Sequence, residues 1–171
     1  MSGDMTSALT LARIAAVVAI FGFFLPWAEV SCSGQALVHE TGIQLITGGA
    51  DTAAPGHHDL WVAAALVLIV LGLVGALLMR GRRAAGVLAA AALAAAIASL
   101  IGASQEVPSA GAQAQLVGGP SAGGDAAERQ AAAELIGARL EYGYFVTLGG
   151  LIVAIAAGGL ALAGRRSPGD P

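Results

Sequence analysis

The sequence predicts an all-α membrane protein, a four-transmembrane-helix bundle with a small extracytoplasmic β-hairpin or sheet in its first outer loop. Three observations carry this expectation. Of the 171 residues, 57% are hydrophobic and 11% charged, with a mean hydropathy of +0.78, whereas a soluble domain has about a quarter charged residues. Four apolar segments, 8–26, 60–79, 84–103 and 144–163, each run about 20 residues, which at about 1.5 Å per residue matches a hydrocarbon core of about 30 Å. All eight basic residues are Arg, and six of them lie near the start of the first segment, between the second and third, or just after the fourth.

The first segment holds one charge, Arg13, placed so that its side chain can snorkel toward the interface. Pro26 disfavours helix at Leu25 and turns the chain out of the bilayer. The stretch FFLPWAEVSCSG raises the alternative of a cleaved leader. A lipoprotein site at Cys32 wants a Leu-like residue where Glu29 stands. A cut after Ser33 has small residues at Ser31 and Ser33, but Asp4 and a lone Arg13 make a weak basic leader, so a retained span is expected.

Beyond Trp27, AEVSCSGQALVHETGIQLITGG contains short β-prone stretches punctuated by Ser33-Gly34, Thr41-Gly42 and Gly48-Gly49. It reads as a hairpin or small sheet over the helix ends, with edges that need cover from the other outer loop. ADTAAPGHHD is turn-like, and Asp59 is placed to cap the second helix.

The second and third segments contain no charge and are joined by a tight link carrying Arg80, Arg82 and Arg83. The third has eleven Ala among its twenty residues, and Ala contributes little to insertion, so its pairing with neighbouring helices matters more than its own hydropathy. Residues 104–124, SQEVPSAGAQAQLVGGPSAGG, read as a flexible linker. Asp125 with Glu128 resembles a capping box opening a helical run over 126–141 that continues toward the fourth span, with Gly137 and Gly143 as sites of bending. The whole of 1–171 is one membrane domain.

Orientation follows from Arg80, Arg82, Arg83, Arg165 and Arg166, which place the link and both termini in the cytoplasm of a multi-pass cell-membrane protein. The connections 27–59 and 104–143 then lie outside and hold nine of the eleven acids. Trp27, Trp61, Tyr142 and Tyr144 fall at the outer ends as interface anchors. Small residues recur at four-residue spacing at Gly72 and Ala76, and at Gly150, Ala154 and Gly158, which lets helix backbones approach closely.

Chemistry is indicated mainly by what is missing. No Asp, Glu, His or Lys lies inside a span, as an ion-coupled carrier would need, and buried axial His for haem is lacking. Cys32 has no partner for a redox pair, and Ser99 has no basic partner in any span. Neither catalytic residues nor a cofactor is expected. His39, His57 and His58 share the first outer loop with Glu40 and Asp59, but adjacent histidines diverge on most backbones, so solvated loop residues are favoured over a metal site. Nothing in the charge pattern suggests nucleic acid as a partner.

FLPWAEVSCSG with TGIQLITGG, and EYGYFVTLGGLIVAIAAGG at the last span, resemble a diffuse group of small bacterial four-helix membrane proteins without assigned activity. The resemblance covers about half the chain and implies shared architecture with no catalytic positions to transfer. The layout also resembles that of claudin-type four-helix proteins, whose first-loop cysteine pair is missing here, which leaves a barrier role unsupported. The function expected is that of an integral membrane accessory or scaffold protein, docking another membrane protein or a second copy of itself through small-residue helix faces and the first outer loop. The alternative is a pore or carrier for a small neutral or lipophilic molecule.

Overall fold

A computed structural model describes residues 2–32, 35–48, 58–117 and 136–163. In chain order these form helix α1 (Ser2–Gly22), strands β1 (Pro26–Cys32) and β2 (Gln35–Thr41), a short helix α2 (Gly42–Thr47), helices α3 (Leu60–Leu78) and α4 (Arg82–Val117), strand β3 (Ile136–Leu140) and helix α5 (Tyr142–Ala163). Three helical stretches, Leu60–Leu78, Arg82–Ser104 and Tyr142–Ala163, are long and apolar enough to cross a membrane. The apolar stretch of α1, Thr6–Gly22, is shorter.

The helices form a bundle in which α1 packs on α5, α5 on α4, and α4 on α3. Small residues set these contacts. A Cβ built on Gly150 would lie 2.9 Å from the Ala15 carbonyl oxygen and the Ala19 nitrogen, and one on Gly158 would lie 2.9 Å from the Ala89 Cβ. Gly72 is buried against Ala91 in the same way, and Ala76 and Ala154 are fully buried. The interior is therefore mostly Ala and Gly, with Phe23, Ile69, Leu88 and Leu151 among the few large side chains inside. Large apolar groups face outward instead: Leu78 is 81% exposed, Leu60 77%, Leu160 68% and Phe21 66%.

Both ends of the bundle follow from local rules. At one end Gly81 takes φ +65, a left-handed conformation open to glycine, and lets the chain reverse between α3 and α4. At the other, 3₁₀-type hydrogen bonds from Phe23, Phe24 and Leu25 tighten the end of α1, and Pro26 starts β1. Asp59 caps α3, its Oδ1 accepting from the Trp61 and Val62 backbone N–H groups at 2.7 and 3.1 Å.

The sheet has the order β2-β1-β3, and both pairings are antiparallel. Three parts of the sequence-based layout are corrected here. Gly42–Thr47 is helical rather than β, because Thr41 and Gln44 complete a reciprocal capping box and Gly48 closes the helix in the left-handed conformation. Residues 104–117, expected as part of a flexible linker, continue α4. The helix runs on through Pro108 and Gly111, which disfavour it, because extending an existing helix avoids the cost of nucleation and the Ala, Gln and Leu residues that follow are good helix formers. Ile136–Leu140, expected as helix, is strand β3, covering the edge of β1 that β2 leaves open. The Asp125–Glu128 capping box, Arg129, the remainder of the linker, most of the turn-like 50–59 stretch with His57, and Arg165 and Arg166 lie outside the described residues.

Candidate functional site

The sheet end of the bundle gathers most of the polar chemistry. In β1, Trp27 is the extra residue of a bulge between the pairs Pro26↔Thr41 and Ala28↔Glu40, and a bulge re-aims a side chain. Trp27 is 1% exposed, and its Nε1–H donates to the Gly22 carbonyl at 2.9 Å, satisfying an acceptor at the end of α1. Its ring lies 4.8 Å from that of Phe23 and meets Tyr144 edge-on at 5.6 Å, a favoured aromatic geometry. Two glycines seal this joint. A Cβ on Gly42 would meet Phe23 and Trp27 ring carbons at 3.0 Å, and one on Gly143 would strike the Pro26 carbonyl oxygen. Backbone bonds complete it: Ile43 N–H donates to Phe23, Glu141 to Trp27, and Asp59 to Leu45.

Of the four aromatic residues expected as interface anchors, Trp27 and Tyr144 therefore pack inside the protein, while Trp61 and Tyr142 present exposed rings. All four lie at the same end of the bundle. The motifs PW, TG and YGY, more than a hundred residues apart at the extremes, meet at this joint.

On the sheet itself, Glu29 stands opposite His39 in β2 and opposite Arg139 in β3, so the three form a single cross-strand row. Arg139 Nη2 donates to both carboxylate oxygens of Glu29, at 3.0 and 2.8 Å, and Glu29 is 4% exposed. His39 Nδ1 lies 3.7 Å from a Glu141 carboxylate oxygen. The Arg139 hydrogen bond, and after it one with Glu141, holds the Glu29 carboxyl below its ordinary value of 4.5. Glu29 in turn raises Arg139.

Glu29, His39 and Glu141 place one possible ligand atom each within 4.8 Å of one another. One imidazole and two carboxylates are a chemically acceptable donor set for zinc. Arg139 already occupies both oxygens of Glu29, however, so the row is charge-compensated within the protein. His58 points elsewhere, with Nδ1 3.1 Å from the Ile46 carbonyl oxygen, so the sequence-level grouping of His39 with His58 does not form.

This row was not legible in the sequence because 110 positions separate Glu29 from Arg139 and the Arg139 segment reads as helix. One signal was available. Ile136, Ala138 and Leu140 alternate with Gly137, Arg139 and Glu141, the period-two pattern of a strand.

The opposite end is cationic. Arg13 reaches across from α1 and donates through Nη2 to the Ala76 carbonyl, two residues from the end of α3, and Arg82 Nη2 donates to the Leu162 carbonyl of α5 at 2.8 Å. Each guanidinium thus meets a carbonyl at a helix C-terminus, where a positive charge is favoured. Arg80, Arg82 and Arg83 are exposed, and among the described residues no carboxylate pairs with them. The described acidic side chains Glu29, Glu40, Asp59 and Glu141 all lie toward the sheet end.

No protein-family model matches the chain, and comparison with curated proteins and with solved structures likewise gives no significant match.

Proposed function

We propose that this chain is an integral protein of the cell membrane that crosses the bilayer four times and serves as a non-enzymatic accessory or scaffold protein. The observation that carries the membrane reading is the inversion of side-chain size, with Ala and Gly inside and Leu, Ile, Val and Phe outside. Water would penalise such a surface heavily, whereas lipid tails do not, and small interior residues give the close backbone contacts that hold helices together in lipid. Helix α1 belongs to the same set despite its shorter apolar stretch. It packs along α5 at Ala15, Ala19 and Gly22 and exposes Leu11, Ile14, Val17, Val18 and Phe21.

The arginine end, with the α3–α4 turn and the end of α5, is assigned to the cytoplasm, and the sheet to the outer side. The small-residue faces at Gly72, Ala76, Gly150, Ala154 and Gly158 are used to join the chain's own helices, so the expectation that they dock a partner is revised. The partner surface is assigned instead to the sheet and the loop that carries it, where Arg139 and His39 present exposed side chains held in place by the buried Glu29 and by Glu141. The Ala-filled interior supports a scaffold over a pore: Ala12, Ala16, Ala65, Ala92 and Ala95 all lie fully buried along it.

Crosslinking in intact membranes, followed by purification in mild detergent, tests this role. A stoichiometric complex with another membrane protein or a second copy, lost when Arg139 and Glu29 are exchanged for each other's charge, is expected. A solitary monodisperse species that crosslinks to nothing, or solute flux in liposomes carrying the purified protein, would overturn it.

A further inference from the structure

The arginine end contains a groove of about 350 Å³ lined by Arg82, Gly159, Leu162 and Ala163. Its walls differ chemically. Gly159 has nothing within 4 Å of where a Cβ would stand, and Ala163 is exposed, so the α5 side of the groove is apolar, shallow and open toward the surroundings of the bundle. Arg82 supplies the polar wall, and only one of its five N–H donors has an acceptor among the described residues, the Leu162 carbonyl. That hydrogen bond fixes the guanidinium at the mouth of the groove. Arg80 and Arg83 are its neighbours in the chain, exposed and without carboxylate partners among the described residues, and α4 begins at Arg82, so N–H groups lacking an intrahelical acceptor also face this end.

We propose that this groove binds one anionic phospholipid of the adjoining leaflet, its phosphate on Arg82 with support from Arg80 and Arg83, and an acyl chain lying over Gly159. A guanidinium and a phosphate form strong charge-assisted hydrogen bonds, and the uncompensated charge of Arg80, Arg82 and Arg83 selects a headgroup of net negative charge over a zwitterionic one, whose ammonium it repels. The apolar wall selects a lipid over a free anion. Basic pockets between membrane helices are a known physical solution for anionic headgroups. The inference rests on the membrane reading given above.

Purified protein in detergent, supplied with phosphatidylglycerol or phosphatidylcholine of identical acyl chains and analysed by native mass spectrometry, tests it. Phosphatidylglycerol should be retained at least about tenfold more tightly than phosphatidylcholine, in a one-to-one complex, and Arg82→Gln should abolish that difference. Because Arg82→Gln also removes the Leu162 contact, a second variant is needed. Gly159→Leu projects into open space, leaves the arginines intact, and should fold normally yet lose phosphatidylglycerol by a similar factor. Glycerol 3-phosphate at the same concentration should not compete.

Equal retention of the two lipids would overturn the proposal and leave the arginines to a protein partner. Unchanged binding by both variants, or displacement by glycerol 3-phosphate, would also overturn it, the latter in favour of a soluble anion. Alkaline carbonate extraction of membranes separates this from failure of the membrane reading: release of the chain into the aqueous phase refutes that reading, whereas a retained chain with no lipid preference refutes only the lipid site.

Discussion

The neighbouring glycines 149 and 150 test the packing argument almost in isolation. In α5, a Cβ at Gly149 meets nothing within 4 Å, whereas one at Gly150 lies 2.9 Å from the Ala15 carbonyl oxygen and the Ala19 nitrogen and 3.0 Å from the Ala19 Cβ. The nearest obstacles at Gly150 are backbone atoms of α1, which cannot rotate aside. Restoring ordinary contact requires the two helices to separate by about 0.5 Å, and a gap of that size already forfeits roughly a quarter of the dispersion energy of the pairs it opens. Overpacking of this kind costs about 1–3 kcal/mol, and the backbone obstacle argues for the upper half, about 2–3 kcal/mol. Gly149→Ala and Gly150→Ala share the same gain in helix propensity, up to about 1 kcal/mol, so it cancels in the comparison. The pair should differ by about 30- to 150-fold in the ratio of folded to unfolded protein. Titration from mild detergent into sodium dodecyl sulfate, followed by tryptophan fluorescence, measures that ratio. Equal midpoints for the two variants would refute the claim that α1 and α5 are in backbone contact at Gly150.

Other consequences follow from the sheet end. Replacing Asp59 by Ala removes a cap accepting two backbone N–H groups and should destabilise α3 by about 0.5–2 kcal/mol, with Asn recovering most of the loss in the same titration. Trp27→Phe keeps most of the ring packing but loses the Nε1 hydrogen bond to Gly22, a cost of about 1 kcal/mol, while Trp27→Ala opens a cavity in the aromatic joint at about 3–5 kcal/mol. The folded Glu29 carboxyl lies below its ordinary value of 4.5. Its contribution is thus fully present above that value and is lost as pH falls through the lower folded value. Unfolding midpoints between pH 7 and pH 3 should accordingly fall in the wild type and fall less in Glu29→Gln. A steeper acid dependence in Glu29→Gln would contradict the Arg139 pairing.

Much of the helical layout is legible in the residues because lipid-length apolar segments and their caps are local signals. Asp59 ahead of an uninterrupted apolar run marks the start of α3, and Pro26 marks the change from α1 to β1. Thr41 and Gln44 carry a local signal too, the capping box of α2, although the surrounding β-prone residues obscure it. Arg139 was harder: Ala, Glu and Arg around it favour helix, and only pairing with β1 makes the strand the better state.

What the chain composition and periodicity determined by themselves is the set of helices long and apolar enough to cross a bilayer, Leu60–Leu78, Arg82–Ser104 and Tyr142–Ala163, with several of their ends written in Pro, Asp, Gly and Arg. What tertiary structure alone decided is which surfaces meet. It turned Trp27 and Tyr144 inward, recruited β3 to the open edge of β1, and aligned His39, Glu29 and Arg139 in one row. These outcomes depend on contacts between residues far apart in the chain, and a local propensity worth a fraction of a kcal/mol per residue yields when pairing and burial together are worth more.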